Sequence, residues 1–114
     1  MRLFCIILFL SISTLSFTQT YVGSATIYSS KFNGKKTYSG QVFRSTKVSA
    51  AHPWLPMGTK VLVTNLKNNK TLTVTINDRM GKSSGYLLDM SSAAAKKIGL
   101  DPRRGVTRIK VKVL

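Results

Sequence analysis

The chain has 114 residues, room for one domain and not for two. It carries 18 Lys and Arg against three acidic residues, Asp78, Asp89 and Asp101, with a formal net charge of +15, one histidine, one cysteine and no glutamate. So short a set of proton carriers and soft ligands argues against a disulfide framework and a zinc site, and it confines acid–base chemistry to a handful of side chains.

Residues 1–19 have the pattern of a secretory signal. Arg2 supplies the positive start, Leu3 to Leu10 is a short apolar run, and Ser11 to Thr18 is small and polar. The run is well short of the roughly 20 residues a membrane span needs. Cys5 lies inside it, where a lipoprotein cysteine would follow it, so lipidation is not expected. Removal of the segment takes away the only cysteine and Arg2, leaving 17 basic residues against three acidic ones. The mature unit, residues 20–114, is therefore expected to be exported to the periplasm or cell envelope, without thiol chemistry or an integral membrane span. Its charge suits an anionic matrix, such as nucleic acid, acidic headgroups or acidic wall polymer. Export argues against nucleic acid as the natural target.

Ala25 to Tyr28 is expected to form a first short strand. Lys31 to Gly40 is a polar loop, and Val42 to Ala51 a second extended region. Val61 and Val63 within Lys60 to Asn65, and Leu72, Val74 and Ile76 alternating with Thr71, Thr73 and Thr75, give two period-two runs. Lys67-Asn68-Asn69-Lys70 between them predicts a β-hairpin turn. Ser91 to Ile98 predicts the one helix, with Ser91 as N-cap, Ala93 to Ala95 as strong helix formers and Gly99 past the end. Val106 to Leu114 alternates Ile109, Val111 and Val113 with Arg108, Lys110 and Lys112, a strand with a core face and a basic face. The pattern is mainly β with one short helix, and about six strands in so short a chain favour a closed barrel without open edges.

Among the scarce reactive groups, His52 and Asp78 stand at the ends of strand-like runs. Asp89, just before the helix, is expected first of all to serve the positive helix start, and second as another cleft carboxylate. Asp101 before Pro102 reads as a turn residue. Trp54, set between Pro53 and Pro56, and Tyr86 offer aromatic faces for a sugar or for the core.

The blocks GKKTYSG, SAAHPWLPMGTKVLVTNL, VTINDRMG, LLDMSSAAAKKIGL and GVTRIKVKVL, in this order, resemble the RlpA-like proteins, septal-ring-associated lytic transglycosylases of the bacterial cell wall. The resemblance covers nearly all of residues 20–114. It implies a six-stranded double-psi β-barrel, the barrel also found in expansin-type wall proteins. It implies peptidoglycan glycan strands as the partner, with no cofactor and no metal. A division-site partner is not readable. Family cleft residues map onto His52 and Asp78 as the catalytic pair. Arg79, Gln41, Trp54 and Asp89 are the expected substrate-binding residues. The chain departs from the family where Gln41 replaces a frequent glutamate, where Arg44 replaces a frequent aspartate, and where Met80 interrupts the block after Arg79.

Such an enzyme cleaves between N-acetylmuramic acid and N-acetylglucosamine without water. One carboxyl protonates the glycosidic oxygen and then accepts the proton of the sugar's C6 hydroxyl as the 1,6-anhydro ring closes. Asp78 is the expected acid–base group and His52 its partner in the cleft. A carboxyl used as an acid must hold its proton well above the usual ~3.9, which burial favours and neighbouring cations oppose. Two further readings remain open. One is a non-catalytic, expansin-like glycan binder; the other is a basic secreted protein with steep salt dependence toward any polyanion.

Overall fold

The computed structural model describes residues 18–101, 103 and 107–114. The expected signal segment lies outside the described residues except for Thr18 and Gln19. Six strands form a closed barrel: β1 (Thr20–Ile27), β2 (Ala50–His52), β3 (Lys60–Asn65), β4 (Thr71–Arg79), β5 (Leu88–Met90) and β6 (Thr107–Val113). Their order around the barrel is β1-β5-β2-β4-β3-β6, with β6 closing onto β1. The pairs β1/β5 and β2/β4 run parallel and the other four antiparallel. This closed, mixed barrel with one helix matches the double-psi architecture that the sequence blocks imply.

The strands form where alternation is cleanest. In the β3/β4 hairpin, Val61, Val63, Val74 and Ile76 are buried while Thr71, Thr73 and Thr75 are exposed. The turn is fixed by side chains that mimic backbone acceptors. Oδ1 of Asn65 accepts from the Lys67 amide at 3.0 Å and Oδ1 of Asn68 from the Lys70 amide at 2.9 Å, while Asn69 takes the left-handed conformation at φ 62°. In β6, Ile109 and Val111 are buried, and Arg108, Lys110 and Lys112 face outward.

Helix α1 (Ser92–Lys97) forms as expected. Oγ of Ser91 accepts from the Ala94 amide at 3.3 Å, and Gly99 follows at φ 72°. Ser91 also ties two strands together: Oγ accepts from the Ser49 amide at 3.1 Å, and the Ser91 amide donates back to the Ser49 carbonyl at 2.9 Å.

Three expectations are corrected. The first strand starts at Thr20, not Ala25, because residues 20–25 pair with β6 although Val22 points outward. Gly23 within it is a close-approach glycine, since a Cβ there would lie 2.8 Å from Cβ of Leu87. The extended region at 42–51 shrinks to Ala50–His52. Phe43 instead ties its loop to the preceding one, donating to the Lys35 carbonyl at 2.8 Å and accepting from the Gly34 amide at 2.9 Å. Strand β5 has only three residues, too few for a periodic signal, and it takes Asp89 into the sheet rather than onto the helix start.

Candidate active site

The short strand β2 sets Asp78 and Asp89 in one row. Its Ala51 is in register with Asp78 on β4 and with Asp89 on β5, and Asp89 is in turn in register with Thr26 on β1. One row across four strands therefore runs Asp78, Ala51, Asp89, Thr26. The two aspartates are two strand spacings apart, about 9.5 Å of backbone, with a fully buried alanine between them. The register slips between Ala50 and Ala51, so that Ile76 and Asp78 oppose consecutive residues of β2 and Asn77 is the extra residue. A bulge of this kind re-aims side chains at the end of a strand.

Asp78 is half-buried and accepts three hydrogen bonds. Oδ1 takes the amides of Tyr38 at 2.8 Å and Arg79 at 2.9 Å, and Oδ2 takes the Tyr28 hydroxyl. Burial pushes the Tyr28 phenol well above its ordinary value, and the hydrogen bond to Asp78 and the charges of Asp78 and Asp89 push it further. Tyr28 thus keeps its proton and remains a donor at any working pH.

Asp89 is also half-buried, and its Oδ1 accepts from the Thr26 hydroxyl at 2.9 Å. Burial raises its pKa from an ordinary 3.8 to about 6; the Thr26 bond opposes this rise and the charge of Asp78 adds to it. The surroundings of Asp89 thus hold a proton into the mildly acidic range.

His52 is placed differently from the expectation. The register sets it opposite Arg79, not Asp78, and its side chain is 0 % exposed. Nδ1 accepts from the amides of Trp54 at 3.2 Å and Leu55 at 3.1 Å, so the ring caps the turn that follows β2. Nε2 finds no partner among the described residues. Burial, reinforced by the Arg79 charge, lowers its pKa from 6.5 to about 4, so the imidazole is neutral at ordinary pH. His52 makes no hydrogen bond to the Asp78 carboxyl, whose partners are Tyr28, Tyr38 and Arg79.

Of the remaining expected site residues, Arg79 and Gln41 lie beside Asp78, whereas Trp54 lines a separate groove that neither carboxyl lines. Nη1 of Arg79 donates to the His52 carbonyl at 3.1 Å, and its guanidinium lies 5.8 Å from the centre of the Tyr38 ring, which is 72 % exposed. It forms no ion pair with Asp78. Oε1 of Gln41 accepts from Nδ2 of Asn77 at 3.3 Å, next to Asp78. Trp54, 45 % exposed, stands edge-on to His52 at 4.5 Å and to Tyr21 at 5.2 Å, and shares a groove with Val22, Pro53 and Tyr86. Asp101 serves its turn, accepting from the Arg103 amide at 2.9 Å.

Sequence reasoning missed Tyr28, Thr26 and Tyr38. Tyr28 lies 50 residues from Asp78, and no spacing rule connects them. Only the barrel order, which places β1 beside β5 and β5 beside β2, brings them together. No group of three or more His, Cys, Asp or Glu side chains suited to a metal occurs among the described residues, and no helix among them is long and apolar enough to cross a membrane.

Comparison with known proteins places the chain in a family. A family model described as lytic transglycolase matches residues 20–111. The endolytic peptidoglycan transglycosylase RlpA of Haemophilus influenzae is 47 % identical over 92 residues, covering 81 % of this chain and 32 % of that protein. The RlpA of Pseudomonas aeruginosa is 42 % identical over 90 residues, covering 79 % of this chain and 26 % of that protein. The chain thus spans about a third or less of the length of these relatives. Among solved structures, the Streptomyces papain inhibitor superposes with a TM-score of 0.66 at 22 % identity, over 84 % of this chain and 96 % of that one. The expansin of Clavibacter michiganensis gives 0.67 at 22 % identity, over 84 % and 50 %. At that identity the two structures support the barrel alone; the sequence match carries the conclusion that this chain belongs to the RlpA-like lytic transglycolase family.

Proposed function

We propose that the chain is an exported lytic transglycosylase domain that cleaves peptidoglycan glycan strands, with Asp89 as the proton carrier and Asp78 as the charged partner. The observation that carries this reading is the row in which the two carboxyls flank Ala51, with burial raising the pKa of Asp89 to about 6. The names of the family relatives support the substrate class. Cell-wall remodelling or septation is the setting this activity fits, and residues 1–19 would direct the chain to the envelope.

In this mechanism the Asp89 carboxyl gives its proton to the oxygen bridging N-acetylmuramic acid and N-acetylglucosamine. The bond from C1 to that oxygen breaks, and positive charge grows on the muramyl ring. The Asp78 carboxylate, held by Tyr28 and two amides, stabilises that charge without reorganising. The C6 hydroxyl oxygen of the same sugar then bonds to C1, and its proton returns to Asp89, which resets the acid. No water enters the balance. A hydrolase would use paired carboxylates to bring in water instead, so product analysis separates the two routes. Trp54 supplies an aromatic face to a sugar ring, and Gln41 and Arg79 bind its hydroxyls. His52 is a positioning residue that holds the β2 turn.

The test is digestion of purified peptidoglycan followed by analysis of glycan ends. Anhydromuramic ends from the wild type, lost in Asp89→Asn and in Asp78→Asn, support the mechanism. Reducing muramyl ends would indicate hydrolysis. Glycan retention without any product would leave the expansin-like binder, to which the half-exposed Trp54 and exposed Tyr38 also lend themselves.

A further inference from the structure

A groove of about 600 Å³ opens beside the row of carboxyls, lined by Gln41, Arg44, Lys47, Ser49, Thr75 and Asn77 among others. It contains two cations, several hydrogen-bonding groups and no acid. We propose that this groove is a carboxylate subsite, taking an acidic group carried by the glycan strand adjacent to the bond that is cut. The inference rests on the glycan-cleaving reading above and adds to it which part of the strand is recognised.

The groove borders the reacting centre through Asn77. Asn77 immediately precedes Asp78 and is the extra residue of the β4 bulge. The loop that delivers the Tyr38 amide to Asp78 also places the Ser39 amide on the Asn77 carbonyl at 3.2 Å and Gln41 on the Asn77 side chain. A strand held at Asp78 therefore extends toward Gln41 and the two cations.

The cations are gathered on one turn. The Lys47 amide donates to the Arg44 carbonyl at 3.0 Å, which sets the two residues three apart around a single bend. Arg44 is held against backbone: Gly34, at φ 85°, has no side chain, and a Cβ there would lie 3.4 Å from Nη1 of Arg44. Neither cation has a carboxylate partner, since the one ion pair among the described residues is Arg103 with Asp101. A planar guanidinium offers a two-pronged donor to a carboxylate, and Lys47 adds a second charge beside it. The flanking amides and hydroxyls suit the sugar that carries the acid.

Two such acids occur on muramyl glycans: the lactyl carboxylate of a peptide-free residue, and the carboxylates of a stem peptide. The experiment compares them. Binding is measured by calorimetry in the Asp78→Asn background, which prevents turnover. The ligands are peptide-free muramyl strands, stem-peptide-bearing strands and a neutral chitooligosaccharide of equal length. Arg44→Gln and Lys47→Gln should each weaken binding of a carboxylated strand by about fivefold and leave the chitooligosaccharide unchanged. Whichever carboxylated strand loses affinity identifies the source.

Lys110→Gln with Lys112→Gln removes two charges, one more than either groove variant, from the exposed face of β6, outside the groove. It should have no comparable effect. An equal loss in that pair, an equal loss on the neutral sugar, or no loss in the groove variants would overturn the subsite. Failure of the unmutated groove to hold any of the three glycans overturns the glycan reading itself and the subsite with it.

Discussion

The Tyr28 hydroxyl, one residue past the end of β1, donates to Oδ2 of Asp78 on β4, although two strands lie between them in the barrel order. The bond spans the row of carboxyls and fixes the Asp78 oxygen that its backbone donors leave free. Tyr28→Phe keeps the ring, which packs on Phe43 at 4.6 Å between centres, and removes only the donor. A hydrogen bond to a charged group contributes about 1.5–3 kcal/mol, so the rate of anhydro-end formation should fall by about 10- to 100-fold. The same contribution is lost from the folded state, so the melting temperature should also fall, by about 4–8 °C per kcal/mol in a domain of this size, and the rate is read on folded protein. A Tyr28→Phe enzyme with unchanged turnover would show that Asp78 does not depend on this contact.

Activity should follow the protonation of Asp89. With its pKa raised to about 6, the acid is loaded below that value and empties above it. The rate of glycan cleavage should therefore be high in mildly acidic buffer and fall about tenfold per pH unit above about pH 6. Thr26→Val removes the hydroxyl that opposes the rise, so the descending limb should move to higher pH. A limb that stays in place in Thr26→Val would assign the titration to another group.

Much of the barrel is legible in the sequence because its long strands bury one face. Val61, Val63, Val74, Ile76, Ile109 and Val111 repeat with period two, and all are buried. Ser91 and Gly99 mark the helix ends by local chemistry that needs no tertiary contact. The site was less legible. Strands β2 and β5 have three residues each, too few for a period, yet they carry Ala51 and Asp89. Scarcity singled out Asp78 and His52 equally, but scarcity carries no information on direction. The structure leaves Asp78 half-buried and buries His52 completely. Asp89 looked like a helix-start residue because it stands two positions before the N-cap Ser91, and only the pairing of β5 with β2 makes it a neighbour of Ala51.

Stability against pH is a second, independent check, because His52 and Asp89 act in opposite directions. His52 has a folded pKa of about 4 against an ordinary 6.5. The unfolded chain binds its proton more readily, so its contribution is complete above pH 6.5 and is lost as pH falls toward 4. Asp89 has a folded pKa of about 6 against 3.8. Its contribution is complete below 3.8 and is lost as pH rises through 6. Each amounts to about 3 kcal/mol over its window, and the windows overlap almost fully. The two slopes oppose each other, so folding free energy should vary less between about pH 4 and 6 than either group alone would make it. Asp89→Asn should expose the His52 slope, with stability rising by up to about 1.4 kcal/mol per pH unit across that range. Chemical denaturation at several pH values measures this directly, and a flat profile in Asp89→Asn would remove His52 as a buried neutral group.

The position of Asp89 depends on the clamp at Ser91. Its Oγ accepts two amides, Ser49 at 3.1 Å and Ala94 at 3.3 Å, and the side chain is fully buried. Ser91→Ala leaves both donors without that acceptor and without access to water. Loss of a helix cap costs about 0.5–2 kcal/mol, and a second stranded buried amide adds about 1–3 kcal/mol. The variant should lose about 1.5–5 kcal/mol in denaturant titration. The Ser49–Ser91 contact also sets the spacing of β2 and β5, and therefore of Ala51 and Asp89. Cleavage by the folded fraction should drop in Ser91→Ala, and Ser91→Thr, which keeps the oxygen, should recover most of both properties. A Ser91→Ala protein as stable as the wild type would mean that the two amides find other partners and that β5 is held by the barrel alone.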